Sequence, residues 1–267
     1  MRRLLLVIIL ALAATPALAQ DKDAGKQEQL PPGVVGSGAI TLQQLTEDLQ
    51  FMVTEKYGIV VAFVLPRGWE LVEQGIDPKT GKLREDLNVY SVISRAPVAK
   101  KGDPTDLIFE LHIFKRGLLE DLPASTKPED KTEQVQFRNF LDEQLGINLK
   151  AGLKCLTPAA DIVAKRYGPP TRPKTYFVPI FYDVPPPPDT QGKGSMLYTF
   201  TSVAGDKIWM IKFLVSKDQV DNYGALIAFV LDNAFAMTKQ QYEDQLKNMP
   251  KEKQPAAPGK EGAKPKQ

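Results

Sequence analysis

Several things are scarce in this 267-residue chain. It has one cysteine, Cys155, and one histidine, His112. A lone cysteine excludes an intramolecular disulfide, so stability must come from an ordinary core. A lone histidine excludes a multi-histidine zinc site, and it forces any Ser-His-acid or Cys-His site through His112. No Cys pair or His-x-x-x-His is present, and neither a metal nor a cofactor is expected. Long apolar runs are also missing after the first, at residues 4–14, which excludes a polytopic membrane protein. Cys155 reads as a small buried residue, although Lys154 beside it would favour a thiolate.

Charge of either sign is not in excess. Thirty-four Lys plus Arg face 32 Asp plus Glu, for a formal net charge of +2. That small surplus lies at the ends. Arg2 and Arg3 precede the apolar run, Pro16 breaks it, and Ala17-Leu18-Ala19 supplies the small residues of a cleavage site. Residues 1–19 are read as a signal peptide cleaved before Gln20, and the chain as periplasmic or secreted, with no transmembrane anchor. Residues 250–267 contain no Leu, Ile, Val or aromatic residue and carry five Lys against two Glu. This segment reads as a disordered, solvated tail. Without both ends, residues 20–249 are slightly acidic, so no nucleic-acid partner is expected.

Residues 20–39 are polar and include Pro31-Pro32-Gly33, the composition of a flexible lead-in. Thr41 with Gln44 forms a capping-box pattern, and Leu42, Leu45, Leu49, Met52 and Val53 recur at helical spacing. The expectation there is a helix ending near Gly58. Ile59 to Leu65 is a continuous apolar strand, followed by a short return at 69–72. Residues 87–94 and 107–114 alternate as antiparallel neighbours. Thr126, with Pro128 and Glu129, caps a second helix whose apolar stripe is Phe137, Phe140, Leu141 and Leu145. Residues 175–182, 196–202 and 207–215 are three more strands, the last two a hairpin through Ala204-Gly205-Asp206. Ser216 with Gln219 caps a third helix carrying Val220, Tyr223, Ile227, Val230, Leu231 and Ala234, widened by Leu226, Phe229 and Phe235. The expected fold is α/β (α+β): one domain over residues 40–249, with a six-stranded mostly antiparallel sheet sandwiched between helices.

The strand end Val64-Leu65-Pro66-Arg67-Gly68-Trp69 and the hairpin-helix run from Tyr198 to Phe235 resemble the PsbP-like superfamily. That group includes the photosystem II extrinsic protein and a Ran-binding nuclear factor. The resemblance implies an α/β/α sandwich and a non-catalytic accessory or binding role, and it matches no set of functional residues position by position.

The chemistry-bearing candidates are few. Glu110 and His112 share a strand face as an i, i+2 pair. Residues 75–82 and 192–195 look like glycine-rich phosphate loops but have the wrong spacing and context, and read as turns. Tyr176, Phe177, Phe181 and Tyr182 flank Pro179, which cannot donate to a ladder, so an edge strand is expected there; its aromatics either alternate into the core, the preferred reading, or form a docking surface for a partner strand or apolar ligand. Pro185 to Pro188 would continue it as a stiff polyproline arm. Trp69 and His112 complete the candidate binding set, with no catalytic residue assigned. The leading functional expectation is an exported accessory protein that contacts an envelope or secreted protein. A lipid or small apolar ligand is the alternative, and a hydrolase with an unrecognised site stands third. Oligomeric state is not set by these patterns.

Overall fold

The computed structural model describes residues 49–67, 69, 71–75, 80, 84, 87–96, 105–120, 122–168, 175–186 and 194–248. The first described element corrects a sequence expectation. Leu49–Lys56 is a strand, β1, and not the end of a helix. It pairs antiparallel with β2, Ile59–Pro66, through a two-residue loop at Tyr57 (φ 51°) and Gly58 (φ 84°). Two positive φ values in a two-residue loop are the type I′ pattern that matches strand twist, and the hairpin overrides the helical spacing of Leu49, Met52 and Val53. The N-terminal part of the expected helix lies outside the described residues, as do the signal and tail segments.

Beyond this hairpin come β3 (Leu71–Glu73), β4 (Val89–Arg95) and β5 (Leu107–Gly117). Helix α1 (Glu133–Lys150) follows, then β6 (Lys154–Cys155), β7 (Lys165–Tyr167), β8 (Thr175–Val184), β9 (Ser195–Ala204) and β10 (Lys207–Ser216). Helix α2 (Val220–Asn233), β11 (Phe235–Thr238) and α3 (Lys239–Lys247) close the described order. The six-stranded expectation is too small. One antiparallel sheet has eight strands, ordered β3-β4-β5-β10-β9-β8-β6 with β7 also on β8, and a second has the order β1-β2-β11. The mixed α/β class stands.

Burial explains the layers. All eight residues of β2 are buried. Ile59, Val61, Phe63 and Leu65 pack with Phe109, Leu111, Trp209 and Phe213 from the inner face of the large sheet. Tyr223, Leu226, Ile227 and Val230 of α2 complete that core. Phe63 stacks on Phe109 at 5.1 Å between ring centroids, and Phe109 meets Phe213 edge-on at 5.6 Å. On the outer face, Leu141 of α1 joins Ile162, Val178, Ile180 and Tyr182 in a second cluster.

Helix boundaries differ from expectation for local reasons. Pro128–Asp130 forms a separate 3-10 turn, so the cap of α1 is Thr132, whose hydroxyl accepts from Val135 N–H, and not Thr126. A 3-10 turn at Lys217–Gln219 likewise precedes α2, which has no side-chain cap. Ala234 and Phe235 fall outside α2, because Phe235 opens β11 against Ala62 of β2.

The edge-strand expectation for β8 is also corrected. One side of β8 pairs with β9 along Val178 to Val184. On the other side, β6 covers Tyr182 and Asp183, and β7 covers Thr175 to Phe177. Pro179 sits in the gap between those two short pieces. Phe181 N–H points outward to Thr157 Oγ1 at 2.9 Å, and Pro179 has the same strand parity, so its missing donor costs no bond to β9. Of the proline run, Pro187 and Pro188 lie outside the described residues, as do most of 75–82 and 192–193.

Candidate functional site

The six candidate residues do not converge. Phe177 is fully buried in the inner core, and Tyr182 is buried in the outer cluster under α1. Phe181 is half-buried on the inner face and packs edge-on against Tyr198 at 5.2 Å. Only Tyr176, at 49%, is exposed. Strand alternation therefore divides the four aromatics between two faces, and no aromatic docking surface forms. Trp69 is buried, with its carbonyl accepting from Gln50 Nε2 at 2.7 Å.

His112 lies on the outer face of the large sheet, opposite Ser91 of β4 and Met210 of β10. Its Nε2 meets Glu110 Oε2 at 2.8 Å, and its Nδ1 meets Ser91 Oγ at 3.3 Å. The hydrogen bond from His112 holds the Glu110 carboxyl below its usual range despite burial. An ionised Glu110 accepts a hydrogen bond from Nε2–H, leaving Nδ1 to accept from the Ser91 hydroxyl. Burial pushes His112 down, helped by the Lys212 charge and opposed by Glu110. The order hydroxyl, imidazole, carboxylate is that of a nucleophile relay. This row, however, runs across two neighbouring strands, β4 and β5, and contributes to neither of the cavities described below.

Those cavities lie beside α1. The first, of about 620 Å³, has Phe114, Gly117 and Leu118 of β5 and its turn on one wall, and Gln136, Phe140 and Glu143 of α1 on the other. The second, of about 530 Å³, continues between α1 and the 122–130 connection, past Thr126 and Asp130. Arg116, Gln136 and Asn139 line both, so the two are compartments of one groove. Phe114 and Phe140 are both half-buried and meet edge-on at 4.8 Å.

The rim of the groove is braced. Glu120 Oε2 accepts from Gly117 N–H at 2.7 Å, and its Oε1 pairs with Lys207 Nζ at 2.6 Å. Lys207 also meets Asp206 Oδ2 at 3.2 Å, while Leu118 N–H donates to the Asp206 carbonyl at 2.8 Å. The Lys207 hydrogen bond, and then that of Gly117, keeps the Glu120 carboxyl low. Partial burial of Lys207 works against its charge, and Glu120 with Asp206 outweighs it, so its pKa is raised. Arg116 Nε donates to the Glu120 carbonyl at 3.0 Å, and Gln136 Nε2 to the Asp130 carbonyl at 2.8 Å. A wall held this way loses little entropy on binding.

Among solved structures, the chain is similar to the solution structure of cyanobacterial PsbP (CyanoP) from Synechocystis sp. PCC 6803. The identity is 16%, the match covers 76% of this chain and 99% of that one, and the TM-score is 0.39. This is a similarity of fold. At that overlap it transfers no residue and no activity, and the reading of the groove rests on its own geometry. No family model and no curated protein matches the chain.

Sequence reasoning missed the groove. Gln136, Asn139, Glu143 and Gln144 are the polar side of an amphipathic helix, which the apolar stripe assigns to solvent. The spacing 136, 139, 143 is one helix face, but nothing local says that Asn88 and Phe114 stand opposite it.

Proposed function

We propose that this chain is an exported, non-catalytic accessory protein of the cell envelope that acts by holding another envelope or secreted component, most directly a protein. One observation carries the reading: a braced, open groove of two connected compartments, lined by carboxamides and compensated charges. Such a surface recognises a polar partner by hydrogen bonding. It gives no support to a lipid occupant, which would call for an apolar lining. The single histidine lies on the sheet face and contributes to neither compartment, so the groove is read as a site of binding.

The sequence supplies the compartment assignment through Arg2-Arg3, the apolar run and Ala17-Leu18-Ala19. Mass spectrometry of the exported chain should find Gln20 at its N-terminus. For the contact itself, a photo-crosslinking residue at Asn139, exposed on α1, should trap a discrete envelope partner in the exported fraction. An identical residue at Arg138, which points toward Asp142 and Ile162, should trap much less. Equal or absent crosslinking at both positions in folded protein would refute the groove as the contact surface. Covalent labelling of Ser91 by a fluorophosphonate would refute the non-catalytic assignment.

A further inference from the structure

We infer that the occupant of the α1 groove is a linear, uncharged saccharide chain. The inference rests on the groove being the binding surface proposed above, and it names an envelope glycan, in place of a protein, as the component that the groove holds. Four carboxamides, Asn88, Gln136, Asn139 and Gln144, line the groove. Each carboxamide presents two donors and an acceptor on one planar group, the pattern that engages neighbouring hydroxyls. Asn139 and Gln144 make no side-chain hydrogen bond among the described residues. Phe114 and Phe140, both half-buried, add an apolar surface to the same cavity. A pyranose ring has both faces of this chemistry, a hydroxyl edge for the amides and a C–H face for the phenyl rings.

Charge narrows the class further. Lys115, Arg116 and Lys127 are balanced by Glu120, Asp130 and Glu143, so the lining is formally neutral. Glu120 is already committed to Lys207 and Gly117. A phosphorylated or sulfated ligand would select a net positive site, and a polycation a negative one. A neutral glycan needs neither. Length follows from the second compartment, since about 530 Å³ beyond the shared Arg116, Gln136 and Asn139 leaves room for further sugar units.

The test uses the mature full-length chain, with chitotriose and cellotriose as probes, their monosaccharides for comparison, and a neutral Gly/Ser hexapeptide. Titration calorimetry should give saturable binding of at least one trisaccharide, tighter than its monosaccharide by about tenfold or more. Amide shifts in the nuclear magnetic resonance spectrum should centre on Phe114, Asn139 and Phe140. Asn139→Ala combined with Gln144→Ala should weaken the trisaccharide by about tenfold or more while leaving the thermal unfolding midpoint in place. Equal affinity for monosaccharide and trisaccharide overturns the proposal. So does an unaffected double variant, or no saturation by either trisaccharide up to about 20 mM. Hexapeptide binding without saccharide binding overturns the saccharide assignment and leaves the groove as a contact surface. Saccharide binding without a crosslinked protein supports the assignment and refutes the protein contact.

Discussion

Three glycines separate two kinds of backbone constraint in measurable amounts. Gly58 has φ +84° and open space around the position of a Cβ. Gly58→Ala should therefore cost only the left-handed conformation, about 1–2 kcal/mol. Gly194 combines φ +76° with a crowded site: an added Cβ would stand 2.5 Å from the Val184 carbonyl oxygen and 3.2 Å from Pro186. Reaching ordinary contact requires the two segments to part by about 0.9 Å, and the obstacle is backbone. Overpacking adds about 1–3 kcal/mol to the same conformational cost, so Gly194→Ala should lose about 2–5 kcal/mol. Gly117 is the contrasting case. Its φ lies outside the left-handed region, and the Cβ would meet the Asp206 and Glu120 carboxylates, side-chain ends held by Lys207, and not backbone. Loss of unfolded-state freedom in Gly117→Ala offsets part of that displacement, so its cost should fall below that of Gly194→Ala. Urea unfolding with an unchanged m-value measures all three. At about 2–4 °C per kcal/mol for a domain of this size, Gly194→Ala should lower the midpoint by roughly 4–20 °C. Gly194→Asn tests the cause: asparagine tolerates the left-handed region but carries the same Cβ. Full recovery by asparagine, or a Gly194→Ala cost equal to that of Gly58→Ala, would show that the Val184 carbonyl does not press on this position.

Acid should weaken the fold through the His112 row. The folded pKa of His112 lies below 6.5, so the unfolded chain takes up the proton first, and stability present above about pH 6.5 is lost as pH falls through that range. Glu110, also depressed, contributes a further loss below its ordinary range. His112→Asn should flatten the thermal midpoint between pH 7.5 and 5.5, and a slope as steep as that of the parent would contradict the linkage. Phe177→Ala should cost about 3–5 kcal/mol, whereas Tyr176→Ala, one residue away and half exposed, should stay within about 0.5 kcal/mol. Comparable costs by chemical denaturation would undo the assignment of the two faces of β8. Lys207→Met should loosen the 117–120 turn, seen as faster amide hydrogen exchange at Gly117 and Leu118, and unchanged exchange there would dismiss the clasp.

The strands with strict alternation were legible in the sequence. Leu107, Phe109, Leu111 and Ile113 are buried on one side of β5, as their spacing requires, and β9 and β10 meet at the expected turn. Where periodicity is ambiguous, reading failed. Leu49, Met52 and Val53 fit a helix as well as an edge strand, and the deciding signal was the Tyr57-Gly58 pair with its two positive φ values. β6 and β7 are two and three residues long, too short for any period. Their existence depends on the free edge of β8, a tertiary fact. The Glu110-His112 contact followed from strand parity alone, while Ser91 required the register of β4 on β5. The groove needed more still, because it joins one polar helix face to residues distant in the chain.

The large sheet is two local meanders joined at one seam. β3-β4-β5 forms within residues 71–117, and β8-β9-β10 within 175–216. The joint between them, β5 on β10, pairs Leu107 with Val215 and Phe109 with Phe213. Closing that joint at its nearest pair, Gly117 with Lys207, costs the chain entropy of the whole 118–206 connection, a penalty the hairpins never meet. Each meander can therefore organise early, and the zipping of β5 onto β10 becomes the slow step that sets the refolding rate. The groove is walled by β5 of the first meander, by the turn after it and by α1 on the connection, and it also takes in Ile208 of β10, so it is complete only once that seam has closed.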